Sequence, residues 1–266
     1  MKGSSMEYKD FDLQREKAVQ IKSKIKAITF DLWGTLVDES GHLSHKPPFK
    51  QQRQNYLRMK LAEHGHIFSR DNVTSAYTAT RDYFEERWRK AQSFDAELGV
   101  KYMLQQLKTE LPQDVLDDTI LFFEVVVNQM TLPLFPGTAD ALAECSKKYR
   151  LGIISDTAWI SGEVLRGQLN RHNVLRHFDA LLFSNEVGVC KPHENIFQRA
   201  LDELQVKPEE CLHIGDLQFT DIKGAKNMGM YAAWIYRPEY LDNAAADYGP
   251  DLIVNNVAQL GELLGD

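Results

Sequence analysis

Basic charge, cysteine and long apolar runs are what this chain has least of. Its 266 residues hold 31 Lys and Arg against 38 Asp and Glu, a formal net charge of −7. A surplus of acid argues against a surface built for phosphate backbones, so nucleic acid is not expected as a partner. Only three cysteines occur, Cys145, Cys190 and Cys211, with neither disulfide nor metal-ligand spacing. Cys190 and Cys211 lie in or beside apolar, strand-like text, where a small buried hydrophobe is the commoner role. No stretch approaches the ~18 apolar residues of a membrane-spanning helix. The opening MKGSSMEYKDF lacks the apolar segment of a secretory signal. A cytoplasmic setting without membrane attachment is therefore expected. Internal repeats and low-complexity blocks are absent as well.

What remains is ordinary globular text, 43% hydrophobic and 26% charged. Six short apolar runs read as strands: Lys26–Trp33, Leu151–Ser155, Ala180–Ser184, Leu212–Gly215, Tyr231–Ile235 and Leu252–Val254. Runs without alternation mark strands buried on both faces, which predicts an α/β fold with a doubly wound, Rossmann-like parallel sheet. Between the first and second strand the text changes to long helical patterns. Ser69 is placed to cap one helix, Val100, Met103, Leu107 and Leu111 keep helical spacing in the next, and Pro112 can open another. The expected organisation is an α/β core at 24–43 and 133–266, a helical insert at 44–132 and an N-terminal extension at 1–23.

The chemistry-bearing residues collect at the expected strand ends. Asp31 closes the first strand and is followed by Trp33, Gly34 and Thr35; Ser155 and Asp156 close the second. Lys191 lies in GVCKPHENIF, while Asp216 and Asp221 follow the LHIG strand. A lone carboxylate at a strand end is most often a cap or turn residue, but it can be a nucleophile or a metal ligand. In doubly wound sheets functional groups meet beyond the strand carboxyl ends, and these residues would converge there.

The segments FDLWGTLVD, IISD, SNEVGVCKPHENIF and HIGDLQFTDIKGAKNMGM, in this order, resemble the four motifs of the haloacid dehalogenase superfamily. The resemblance covers the α/β text, and the helical insert matches in position and character only. It implies a hydrolase, with Asp31 attacking substrate to form a covalent aspartyl intermediate. Thr35 and Ser155, with Asp156 and Lys191, would contact the transferring group, Lys191 balancing its charge. Asp31, the main-chain carbonyl of Trp33, Asp216 and Asp221 would hold magnesium (Mg2+). The insert would be a cap that closes the site and selects the substrate. The expected partner is a small phosphorylated metabolite, and the expected assembly a monomer or homodimer.

One position departs from the phosphatase pattern of that superfamily. Two residues after the nucleophile a second aspartate usually serves as general acid and base, and here stands Trp33. Indole has one N–H donor and no proton to give at neutral pH. The loss of general acid–base help is worth about 10²–10⁴ in rate, least for acyl phosphates, whose leaving group needs no proton. His42, His45 or His193 could substitute, although loop histidines are more often plain surface residues. An aromatic residue here is also found in the superfamily's carbon–halogen hydrolases, but those lack the aspartate seen here as Asp216. A carbon–phosphorus hydrolase would want a Schiff-base lysine in the insert, where Lys46, Lys50, Lys60 and Lys90 occur. A third alternative is a non-catalytic binding or regulatory protein on the same scaffold. Within the insert, RDYFEERWRK sets Arg81, Arg87, Arg89 and Lys90 among Tyr83, Phe84 and Trp88. It reads either as the lining of an anion pocket or, more plainly, as an amphipathic helix with a solvated charged face.

Overall fold

The apolar runs form one parallel sheet: β1 (Ala27–Phe30), β2 (Arg150–Ser155), β3 (Ala180–Phe183), β4 (Cys211–Gly215), β5 (Tyr231–Ile235) and β6 (Leu252–Val254). The structure, a computed structural model, describes residues 8–39, 46–236 and 247–264. Every residue of β1 and β4 is buried, as befits strands covered on both faces. The spatial order is β3-β2-β1-β4-β5-β6, so the chain winds outward from β1 in one direction and then in the other. Phe30, the last residue of β1, lies level with Ile153 of β2 and Ile214 of β4, so the three central strands end within about two residues of one another at the same edge. Between β1 and β4 the winding reverses and leaves a crevice beyond their carboxyl ends.

Helices cover both faces of the sheet. On one, Ile28, Phe30, Ile153 and Ile214 pack with Leu142 of the Thr138–Cys145 helix and Leu260 of the Val257–Leu264 helix. The helix Tyr8–Lys22, within the expected N-terminal extension, adds Ala18 and Ile21 to the same layer. On the other face Ile154 and Leu182 meet Ile196, Phe197, Ala200 and Leu204 of the Glu194–Leu204 helix. That spacing is one stripe of a 3.6-residue repeat, and each fully buried Leu, Ile or Phe contributes about 1.5–3 kcal/mol. The three cysteine thiols are buried, and burial pushes Cys145 up to about 11 and Cys190 and Cys211 to about 12.

After β1 the chain forms four helices, Phe49–Glu63, Arg70–Arg89, Ala96–Gln106 and Gln113–Val125. Ser69 caps the second, its Oγ accepting from Asn72 N at 3.1 Å while Asn72 Oδ1 accepts from Ser69 N at 3.1 Å. The third stops earlier than its apolar spacing suggested. Lys108 adopts the left-handed φ of 52° that ends a helix, and Leu111 is buried beyond it. Leu57, Leu61, Val73, Val100, Met103 and Phe123 form the centre of this bundle. The core also reaches into it: Trp159, from the loop after β2, places its ring 5.2 Å from Tyr77, 5.4 Å from Phe94 and 5.4 Å from Phe123. No helix among the described residues is long and apolar enough to cross a membrane.

Candidate active site

Asp31 is the first residue past β1, and Asp216 the first past β4. The parallel register, with Phe30 level with Ile214, therefore puts both carboxylates at the winding reversal. A single π-helical turn, Gln218–Ile222, folds Asp221 back toward them. Asp31, Asp216 and Asp221 each offer an oxygen, and these ligand atoms lie within 4.8 Å of one another. Lys191 enters from the segment before the Glu194–Leu204 helix, and its Nζ donates to Asp31 Oδ1 at 2.5 Å and to Asp221 Oδ1 at 2.7 Å. All three side chains are almost wholly withdrawn from solvent.

Burial dominates the electrostatics here. It pushes Asp31 up to about 7, against the pull of Lys191 and with repulsion from Asp221. Burial also raises Asp156. For Asp221 burial pushes the same way, yet Lys191 and His213 together outweigh it and hold the carboxyl at about 2. Lys191 is likewise disfavoured by burial, but Asp221, Asp31 and Asp156 raise it above the ordinary lysine value. The ammonium is thus fixed as a cation.

Asp221 is the most thoroughly held of the acids. Its Oδ1 accepts from Lys191 and lies 3.2 Å from His213 Nε2, while its Oδ2 accepts from Leu217 N at 3.0 Å. A carboxylate only accepts, so Nε2 of the buried His213 carries the proton and Nδ1 accepts from Thr29 Oγ1 at 2.9 Å. Asp221 therefore orients Lys191 as much as it offers an oxygen.

The cavity over this cluster measures about 300 Å³ and is lined by Asp31, Trp33, Glu39, Trp88, Asp156, Lys191, Asp216 and Asp221 among others. Thr35 and Ser155, expected beside the transferring group, are fully buried and do not line it. Thr35 Oγ1 has no hydrogen-bond partner among the described residues, and Ser155 Oγ donates to the Asp156 carbonyl at 3.3 Å. Of the histidines weighed as substitute acids, His42 and His45 lie outside the described residues. His193 is exposed and caps a helix, its Nδ1 accepting from Asn195 N at 3.2 Å. Lys60 pairs with Asp118 and Lys90 with Glu86, while Lys46 and Lys50 are exposed; none of the four lines either cavity of the site.

The segment RDYFEERWRK is an amphipathic helix whose charged face is solvated, and of its side chains only the rings of Phe84 and Trp88, none of its four basic groups, line the cavities of the site. Arg81 and Arg89 pair with Glu85 at the surface. Trp88 turns inward, and its Nε1 donates to Asp156 Oδ2 at 2.9 Å. The other Asp156 oxygen accepts from Lys191 N at 2.9 Å, so one carboxylate ties the helical insert to the lysine. A second cavity of about 250 Å³ adjoins the first, sharing Trp33, Glu39 and Asp156 and adding Phe84, Phe49, Arg53 and Trp159. Glu39, His213, Arg53 and Trp159 were not singled out in the sequence. For His213 a signal existed, an ionisable residue inside a fully apolar strand, whereas the others depend on how the insert docks.

A doubly wound parallel sheet with carboxylates and a lysine gathered at its winding reversal is the framework of an α/β enzyme. The sequence pattern of haloacid dehalogenase-like hydrolases matches residues 25–229, and the chain belongs to that family of hydrolases. It is similar to a glyceraldehyde 3-phosphate phosphatase of Pyrococcus furiosus, with 32% identity over 91% of this chain and 93% of that one. In fold it is similar to a 2-haloacid dehalogenase from Pseudomonas syringae, with a TM-score of 0.65, 24% identity and coverage of 90% and 98% of the two chains. A HAD phosphatase from Thermococcus onnurineus gives a TM-score of 0.59, 24% identity and coverage of 91% and 98%.

Proposed function

We propose that this hydrolase is a magnesium-dependent phosphatase acting on a small phosphorylated metabolite, with Asp31 as nucleophile. The carrying observation is the excess of acids in the cavity: among the described residues Asp31, Asp156, Asp216, Asp221 and Glu39 line it against one cation, Lys191. A phosphate dianion would be repelled by such a wall unless a cation sat within it. Three hard oxygen donors within 4.8 Å suit a divalent ion of magnesium's kind, so the residues fit the group. Asp31, the Trp33 carbonyl, Asp216 and Asp221 would hold magnesium, which when bound supplies positive charge for the phosphoryl oxygens. The Pyrococcus relative, a phosphatase by name, supports the same substrate class.

The chain's own groups divide the remaining work. Asp31 attacks phosphorus as the bond to the leaving alcohol or acid breaks, and a water molecule then cleaves the resulting aspartyl phosphate, giving its oxygen and protons to inorganic phosphate and restoring the Asp31 carboxylate. Lys191, fixed as a cation by Asp221, neutralises charge on the transferring group. Thr35 and Ser155 contribute hydroxyls beneath the nucleophile once the site reorganises around substrate. The insert, read as a cap over 44–132, covers the cavity through Trp88 and shields the nucleophile from bulk solvent while the phosphoryl group is transferred. Trp33 provides no general acid, so substrates with good leaving groups turn over fastest.

Carbon–halogen hydrolysis is the second reading, favoured by the aromatic ring of Trp33. Attack on carbon with halide departure makes no use of a carboxylate cluster, and the acidic wall weighs against it. The test is phosphate release from a panel including acyl, aryl and alkyl phosphates, with magnesium or chelator, beside Asp31→Asn. Turnover that needs both magnesium and Asp31 supports the proposal. Metal-independent halide release from a 2-haloacid, with no phosphate release, would overturn it.

A further inference from the structure

The second cavity contains a feature that the chemistry at Asp31 does not use. Arg53, on the Phe49–Glu63 helix of the insert, is 94% buried, with a relative exposure of only 6%. Its Nε donates to the Phe123 carbonyl at 2.8 Å, and its guanidinium lies 5.8 Å from the centre of the Trp159 ring. Beside it the Tyr77 hydroxyl is a neutral polar neighbour; its buried Nη2 has no hydrogen-bond partner among the described residues, and no acidic side chain among them forms an ion pair with it. Guanidinium stays protonated in proteins, so this is a buried cation without a counter-ion. Such a group is expensive to retain unless something anionic joins it.

Its surroundings say where that partner would come from. Arg53 lines the cavity of about 250 Å³ that shares Trp33, Glu39 and Asp156 with the catalytic one. The other walls include Phe49, Phe84 and Trp159, which are apolar. Two acids also line this space. Asp156 is engaged by Trp88 Nε1 and Lys191 N, and Glu39 is a carboxyl that burial shifts toward its neutral form. Neither forms an ion pair with the guanidinium. A substrate whose phosphoryl group sits at Asp31 would extend its remainder between the aromatic walls toward Arg53.

We infer that Arg53 is a specificity-determining residue, and that the preferred substrate carries a second anionic oxygen group, a carboxylate or a further phosphate, at the end opposite the phosphoryl group being removed. The inference rests on the phosphatase reading and deepens it. A planar, forked donor set matches a carboxylate through two parallel hydrogen bonds, which a lysine cannot reproduce. Arg53→Lys should therefore fall between wild type and the uncharged Arg53→Met.

The test compares esters that differ chiefly at the far end. With the magnesium-loaded protein, kcat/KM is measured for 3-phosphoglycerate, glycerol 3-phosphate and glycerol 1,3-bisphosphate in wild type, Arg53→Lys and Arg53→Met. Wild type should favour at least one of the two anionic esters over glycerol 3-phosphate by about tenfold or more, the strength of one charge-assisted hydrogen bond. Which of them it favours identifies the oxyanion. Arg53→Met should erase most of that ratio, mainly through KM, and Arg53→Lys should keep part of it. Equal losses on charged and neutral esters, or a wild type indifferent to the far end, would overturn the inference.

A binding measurement separates this inference from the reading beneath it. Calorimetry with 3-phosphonopropionate and its amide, which cannot be hydrolysed, reads the same ratio without turnover. Arg53-dependent preference for the acid in a protein that releases no phosphate would sink the phosphatase reading alone. Phosphate release without any Arg53-dependent preference would sink the subsite alone.

Discussion

Gly34 provides the sharpest test of the carboxylate cluster. It takes a φ of +70°, and a methyl carbon built there would stand 2.3 Å from Asp216 Oδ2, where 3.0 Å is the practical minimum. In Gly34→Ala the short Asp216 side chain yields more readily than backbone, and must retreat by about 0.7 Å. Left-handed backbone strain adds roughly 1–2 kcal/mol of destabilisation that is independent of metal. The displaced carboxylate weakens the proposed magnesium site. At one hundred times its Kd, magnesium raises wild-type stability by about 2.7 kcal/mol; a tenfold loss of affinity removes about 1.3 kcal/mol of that. For a chain of this size that is about 3–5 °C less rise in Tm on adding magnesium. Thermal melts with and without magnesium separate the two effects: the strain lowers both curves, and the site defect narrows the gap between them. Turnover should fall by up to about 10²-fold, as for a misplacement near 1 Å. A variant stabilised by magnesium as strongly as wild type would refute the assignment of Asp216 to the metal.

Trp33→Asp supplies the missing acid: phosphate release from alkyl esters should rise by about 10–10² relative to acyl phosphates, and an equal change on both would contradict the role assigned to Trp33. Lys191→Met strips the ammonium from Asp31 and Asp221, both buried; urea denaturation should show a loss of about 3–5 kcal/mol, partly recovered by magnesium. An unchanged midpoint would mean that Lys191 does not hold the acids together. Gly99→Ala improves helix propensity by about 1 kcal/mol. Its methyl would stand 2.3 Å from the Trp159 ring, and overpacking of about 1–3 kcal/mol should win, lowering Tm. A raised Tm would show that Trp159 is not wedged into the bundle.

Much of the core was readable because its signals are local. Uninterrupted apolar runs such as LGIIS and YAAWI encode strands buried on both faces, and the helical text between the first two encodes the insert. Asp31 and Asp216 could be placed at a common edge because each directly follows such a run, and parallel strands of similar length end together. The ends of helices were less readable: Leu111 keeps the apolar spacing of its helix, yet Lys108 turns the chain before it.

Chain order and side-chain type determined the layered fold and the set of residues able to do the chemistry, since both follow from short-range patterns. The tertiary structure alone decided which of them face one another. Asp221 acts through a π-helical turn and a buried His213, Trp88 reaches Asp156 across 68 residues, and Trp159 enters a bundle built from a different part of the chain. Arg53 looks like any other arginine on an amphipathic helix until the insert folds over the sheet. Contacts of that kind depend on how the insert packs over the sheet, and no periodicity along the sequence records it.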